Sequence, residues 1–161
     1  MKLLKIMAIV AAAIAPAVAF AQVAPSGNPG IVVAGSASES AMPNEAKSFI
    51  AKYYPGQSVV SVEKNFIRTE YDVRLSNGVD IEFNSKGKVR DIEAPGATVL
   101  PDAVVKALLP AKAYKHLVDN GLNGQVDEIS VRRTGYEVSL LIDNPDEVVY
   151  DIAGEFISFD D

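Results

Sequence analysis

The side chains of this chain that could do chemistry are almost all carboxylates. The segment "NGVDIEFNSKGKVRDIE", residues 77–93, combines two glycines nine positions apart with alternating apolar and charged residues. Such a stretch could hold a phosphate, a metal or a general acid/base pair, or it could be a hairpin. A phosphate cradle needs its glycines between a strand and a helix, usually as G-x-x-x-x-G-K-[ST], and that pattern is absent. A carboxylate pair is conceivable among Asp72, Asp80 and Glu82, but charges that compensate on a wet sheet face account for them better, given no partner His. "DNPDE" at 143–147 has an acidic look, yet it lacks the alternating ligand spacing and the glycine of an EF-hand loop. An Asn-Pro turn explains it. His116 is the only histidine, and it has no second His, Cys or spaced carboxylate near it in sequence. A surface or helix-end role fits it better than metal binding. No serine sits in a G-x-S-x-G elbow. With no cysteine and one histidine, nucleophilic catalysis has almost no material. The sequence therefore implies no enzyme, no cofactor, no metal and no catalytic residue.

The elements that must position these residues follow from periodicity. Tyr71, Val73 and Leu75 should share a face with Val79, Ile81 and Phe83, because side chains alternate along a strand. Cross-strand partners share a face, so Leu75 must pair with Val79. The turn is then the three-residue loop Ser76-Asn77-Gly78, with Gly78 left-handed. Ser85-Lys86-Gly87 repeats the arrangement and pairs Phe83 with Val89. Both glycines become hairpin punctuation. On the outer face Arg74 lies opposite Asp80, and Glu82 lies between Asp72 and Arg90.

The chain also repeats itself. At a shift of 67, Pro43 falls on Pro110, Val62 on Ile129, Ile81 on Val148, Phe83 on Tyr150 and Gly87 on Gly154. "EYDVRL" matches "GYEVSL" at a shift of 65, so a short first hairpin is compensated by the longer loop around "DNPDE". Length changes of this kind belong in loops. Each copy opens on a helix that follows a proline and ends at a glycine, Gly56 or Gly121. Strands are expected at 59–65, 70–75, 79–84 and 88–93, then at 126–131, 135–142, 147–151 and 155–159. The fold class is α+β: two tandem repeats of a short helix and a four-stranded antiparallel meander, with the helices on one face. "LPDAVVKAL" predicts a linking helix.

Residues 1–21 have the basic start, the apolar run and the Ala19-Phe20-Ala21 cleavage site of a secretory signal peptide. Residues 22–41, rich in Gly, Pro and Ser, read as a flexible leader. The first repeat is expected at 42–94, a linker at 95–109 and the second repeat at 110–161. Loss of Lys2 and Lys5 leaves 13 basic against 21 acidic residues, moving the formal charge from −6 to −8. An acidic domain repels phosphates, which argues against nucleic acid. A periplasmic or secreted location follows, without a membrane span after cleavage.

The stretch "YYPGQSVVSVEKNFIRTEYDVRLSNGVDIEFNSKGKVRDIE" resembles the bacterial PepSY-like family, also described as beta-lactamase-inhibitor-like. The second copy contributes "GYEVSL" and "VVYDIAGEFISFDD", but it lacks the aromatic-Pro-Gly and Asn-Gly signals. The resemblance covers residues 42–161. It implies a tandem helix-plus-four-strand module in exported proteins and supplies no inhibitory residue.

One candidate contact surface comes from register. If Ile152-Ala153-Gly154 is a three-residue loop, Tyr150 pairs with Phe156 inward and Val149 pairs with Ile157 outward. Leu141, Val149, Ile157 and Phe159 then form an exposed apolar strip suited to a periplasmic protein partner or to self-association. A bulge in the last strand would instead return Ile157 and Phe159 to the core.

Overall fold

A computed structural model describes residues 34–160. The expected signal peptide and most of the leader lie outside these residues. Nine strands and three helices follow in the order β1 (Ala34–Ser36), α1 (Asn44–Tyr53), β2 (Val59–Asn65), β3 (Glu70–Leu75), β4 (Asp80–Phe83), β5 (Val89–Glu93), α2 (Asp102–Leu108), α3 (Ala111–Asp119), β6 (Val126–Val131), β7 (Gly135–Leu140), β8 (Glu147–Asp151) and β9 (Phe156–Asp160). All nine strands form one antiparallel sheet in sequence order. The two repeats are joined by β5 and β6, with Asp91 opposite Ser130, Ile92 opposite Ile129 and Glu93 opposite Glu128.

The helices begin and end where local chemistry dictates. Pro43 and Pro110 precede α1 and α3, at positions where a missing N–H costs nothing. α3 ends in a Schellman motif. The Leu122 amide donates to the Leu117 carbonyl at 2.8 Å and the Gly121 amide to the Val118 carbonyl at 3.1 Å, with Gly121 at φ +69°. α2 lies between Pro101 and Pro110, which bar its extension.

Three hairpins close alike. The amides of Gly78, Gly87 and Gly154 donate to Leu75, Asn84 and Asp151 at 2.9, 2.8 and 3.0 Å. All three glycines have φ between +80° and +86°, a conformation that costs other residues energy. Asn84 and Asp151 occupy equivalent places, and each side chain caps its own loop. Asn84 Oδ1 accepts from the Lys86 and Lys88 amides, and Asp151 Oδ1 from those of Ala153 and Glu155.

One face of the sheet is buried beneath the helices. Val73, Leu75, Ile81, Phe83, Ile92, Ile129, Val138, Val148 and Tyr150 form one core with Ala46, Ile50, Val104, Val105, Ala113 and Leu117. Apolar burial on this scale is the main stabilising contribution. α2 packs over β6, near the join between the repeats.

Two expectations change. Residues 34–41, assigned to the leader by composition, carry β1 and a 3-10 turn at Glu39–Ala41. β1 pairs with β2, whose edge groups otherwise face solvent. The register of β5 changes as well. Glu82 pairs with Asp91, and Arg90 is the extra residue of a bulge. The cation expected beside Glu82 is thereby replaced in the ladder by another acid.

Candidate interaction surfaces

The face of the sheet opposite the helices carries two cross-strand rows of side chains. The first runs Glu63, Asp72, Glu82, Asp91, Ser130, Glu137, Val149, Ser158. The second runs Ser61, Arg74, Asp80, Glu93, Glu128, Ser139, Glu147, Asp160. Directly opposed side chains lie within about 5.5 Å at Cβ, so like charges repel. Four consecutive acids in the first row have no cation in the ladder between them. Across β2 to β5 the face forms a shallow depression of about 410 Å³.

The electrostatics record this crowding. Burial, then Glu63 and Glu70, raise the Asp72 pKa above the usual carboxylate value. Burial also raises Glu82, assisted by Glu70, Asp72 and Asp91, while Arg90 opposes weakly. Glu128 is raised by burial, by Asp91 and by Glu93. Glu147 is raised by burial, by Glu137 and by Asp160. Relief is local. Arg74 grips Asp80 with two hydrogen bonds of 2.8 and 2.6 Å, Arg132 Nε donates to Glu137 at 2.8 Å, and the buried Ser130 hydroxyl donates to Asp91.

The expected apolar strip is only partly assembled. Tyr150 does pair with Phe156, but Val149 pairs with Ser158 and Val148 with Phe159, because Ile157 is the extra residue of a bulge. Val149 is half-buried in the outer-face row, and Ile157, the extra residue between its partner Ser158 and Phe156, is 58 % exposed. Leu141 lies just past β7 and is exposed. Phe159 is corrected to the helix side, where it shares a row with the buried Val148 and stays 46 % exposed. The bulge turns one of the two aromatic and aliphatic residues inward rather than both.

Sequence reasoning missed two other places. His116 stacks on Phe156 at 4.8 Å between centroids and shares a 2.9 Å hydrogen bond between its Nδ1 and the Tyr150 hydroxyl. Phe156 and Phe159 are 4.7 Å apart, so these rings form an aromatic ledge on the helix side of β9. A single histidine with no ligand-like spacing gave no hint of this. The second place is a groove of about 490 Å³ over the junction of the repeats, with Phe49, Tyr53, Leu108, Val131 and Tyr136 in its walls. It exists only because β5 and β6 pair, which no local pattern announced. Among the described residues no group of three or more His, Cys, Asp or Glu side chains is placed to hold a metal ion.

An α+β chain of this class, two tandem modules sharing an antiparallel sheet, matches a known family. The family described as "Putative beta-lactamase-inhibitor-like, PepSY-like" matches residues 33–91 and again residues 96–158. The chain belongs to the PepSY-like family and carries two of its modules. Among solved structures it is similar to a "putative periplasmic protein of unknown function" from Bacteroides vulgatus, at 28 % identity and a TM-score of 0.67 over 80 % of this chain and 99 % of that one. A second periplasmic protein from that organism aligns at 22 % identity and TM-score 0.66, over 82 % of this chain and 100 % of that one. A "putative calcium-regulated periplasmic protein" from Bacteroides thetaiotaomicron aligns at 24 % identity and TM-score 0.66, over 80 % of this chain and 97 % of that one. No curated protein matches the chain. The periplasmic description of all three neighbours agrees with the periplasmic or secreted location read from the N-terminus. No helix of the described residues is long and apolar enough to cross a membrane.

Proposed function

We propose that the protein is an exported, non-catalytic binding module that meets a protein partner through the open face of its sheet. The observation that carries this reading is the row Glu63, Asp72, Glu82, Asp91. Four acids placed side by side across four strands repel one another, and a cationic partner surface relieves that cost. The row leads across the sheet to Val149, with Ile157 beside it, so the same face offers apolar area at its far end. The partner of best fit is a basic protein surface with an apolar margin. A second reading, a small-ligand binder, rests on the aromatic groove over the repeat junction, since concave apolar walls with few polar groups are the usual form of such sites.

The test compares three exported proteins: wild type, Asp72→Lys with Glu82→Lys, and Val149→Lys with Ile157→Lys. Partner recovery from periplasm should fall for the first pair and weaken with salt. It should also fall for the second pair, with little loss of thermal stability. A partner held equally by all three would refute the sheet-face reading. A small molecule that raises Tm in wild type but not in Tyr136→Ala would favour the groove instead.

A further inference from the structure

The repeat carries its own model of an occupied strand edge. β9 stands to the second copy as β5 stands to the first. Gly154 is equivalent to Gly87, Ile157 occupies the bulge position of Arg90, and the ladders to β8 and β4 correspond. The far edge of β5 is filled by β6, antiparallel, over residues 91–93. The same edge of β9, over residues 158–160, has no strand on it among the described residues. We propose that this edge of β9 is a docking site for an extended cationic segment of a partner polypeptide, added antiparallel in the register that β6 takes on β5.

The internal pairing specifies the chemistry of the occupant. Ile92 and Ile129 face each other and both are fully buried. Phe159 holds the place of Ile92 and is 46 % exposed. An apolar residue opposite Phe159 therefore closes the ledge made with Phe156 and His116. Asp160 holds the place of Glu93, pairs with Glu147, and faces the residue equivalent to Glu128. Neither "EVVYD" in β8 nor "FISFD" in β9 contains a cation. The incoming strand answers Asp160 with Lys or Arg. A second copy of this strand would bring another Asp160 and no base, so self-pairing is disfavoured. Edges are commonly guarded by bulges or charges. Here the bulge does not block pairing, because its counterpart at Arg90 leaves β5 paired beyond it. Main-chain hydrogen bonds would give affinity and alternate side chains selectivity.

This edge adjoins the far end of the acidic face, whose second row ends at Asp160, and its test separates the edge from the acid row across β2 to β5. The probe is the synthetic peptide QVKKISVR, residues 125–132 with Asp127 and Glu128 replaced by lysine. Titrated into the 15N-labelled exported protein, it should shift amides of β8 and β9 and the His116 ring. Successive N–H groups of a strand point to opposite sides. N-methylation at one alternate set of peptide residues should therefore abolish binding, and the other set should leave it intact. Asp160→Lys in the protein, or the parent peptide QVDEISVR, should weaken binding by about tenfold or more. Shifts centred on Asp72 and Glu82, equal loss from both methylation sets, or no saturable binding would each overturn the proposal. So would a peptide-free dimer with the β9 edge already protected.

Discussion

Gly87→Ala should be far more damaging than Gly56→Ala, although both glycines have nearly the same backbone, with φ of +80° and +83°. A Cβ at Gly56 would meet no atom within 4 Å. Only the left-handed conformation opposes it, at about 1–2 kcal/mol. A Cβ at Gly87 would stand 2.6 Å from the Ala46 backbone nitrogen and 3.0 Å from the Cβ atoms of Pro43 and Glu45. The obstruction is the first turn of α1, which cannot rotate aside as a side chain can. Forced overpacking of this kind adds about 1–3 kcal/mol. With a urea slope of about 2 kcal/mol/M, Gly87→Ala should move the unfolding midpoint by about 1–2.5 M and Gly56→Ala by about 0.5–1 M. Gly154→Ala should resemble Gly87→Ala, because its Cβ would lie 2.6 Å from Pro110 Cβ and 3.1 Å from the Ala113 nitrogen. Equal midpoints for Gly56→Ala and Gly87→Ala would refute the reasoning.

Asp72, Glu82, Glu128 and Glu147 have folded pKa values above the ordinary carboxylate value, so the native state takes up protons first as pH falls. Stability should therefore rise as pH falls from neutrality through these folded values, and the gain is complete below the ordinary value of about 4. Asp102, lowered by its hydrogen bonds from Asn123 and Tyr114, acts oppositely, and its contribution is lost only as pH falls through its folded pKa. Melting curves of wild type and of Asp72→Asn with Glu82→Gln check this, and the variant should show a flatter slope; a wild-type Tm that falls steadily over that range is the contrary result. Tyr54→Phe should leave stability unchanged or raise it by up to about 1 kcal/mol, because its hydroxyl is buried without a hydrogen-bond partner and its pKa is pushed up to about 12 by burial. A loss above about 1 kcal/mol in urea unfolding would show that the hydroxyl is satisfied in solution. Intact mass of the exported protein should match a chain beginning at Gln22, and retention of Met1 would contradict the signal-peptide reading.

Local sequence decided the pieces whose cause is local. A proline before and a glycine after α1 and α3 determine their ends, since one removes an N–H and the other accepts positive φ, and a proline on either side bounds α2. The parity of Leu75 and Val79 required a three-residue loop, and Gly78 and Gly87 have the left-handed φ that such a loop demands. The 67-residue shift between copies was legible because equivalent positions meet the same neighbours. Gly87 lies against Pro43 and Ala46, and Gly154 against Pro110 and Ala113. Of the bulges, only the one in the last strand was legible, as an alternative register. They recur at equivalent positions, Arg90 and Ile157 in one pair of strands and Val60 and Asp127 in the other. Apolar alternation alone fits the bulged and the regular register equally well until a partner strand is in place. That difference moved Arg90 out of line with Glu82 and turned Phe159 to the helix side. The pairing of β5 with β6, the strand within residues 34–41 and the seam groove were likewise decided only in three dimensions. Each depends on which backbone edge finds unpaired N–H and C=O groups to satisfy, and a one-dimensional pattern of side chains carries no record of that.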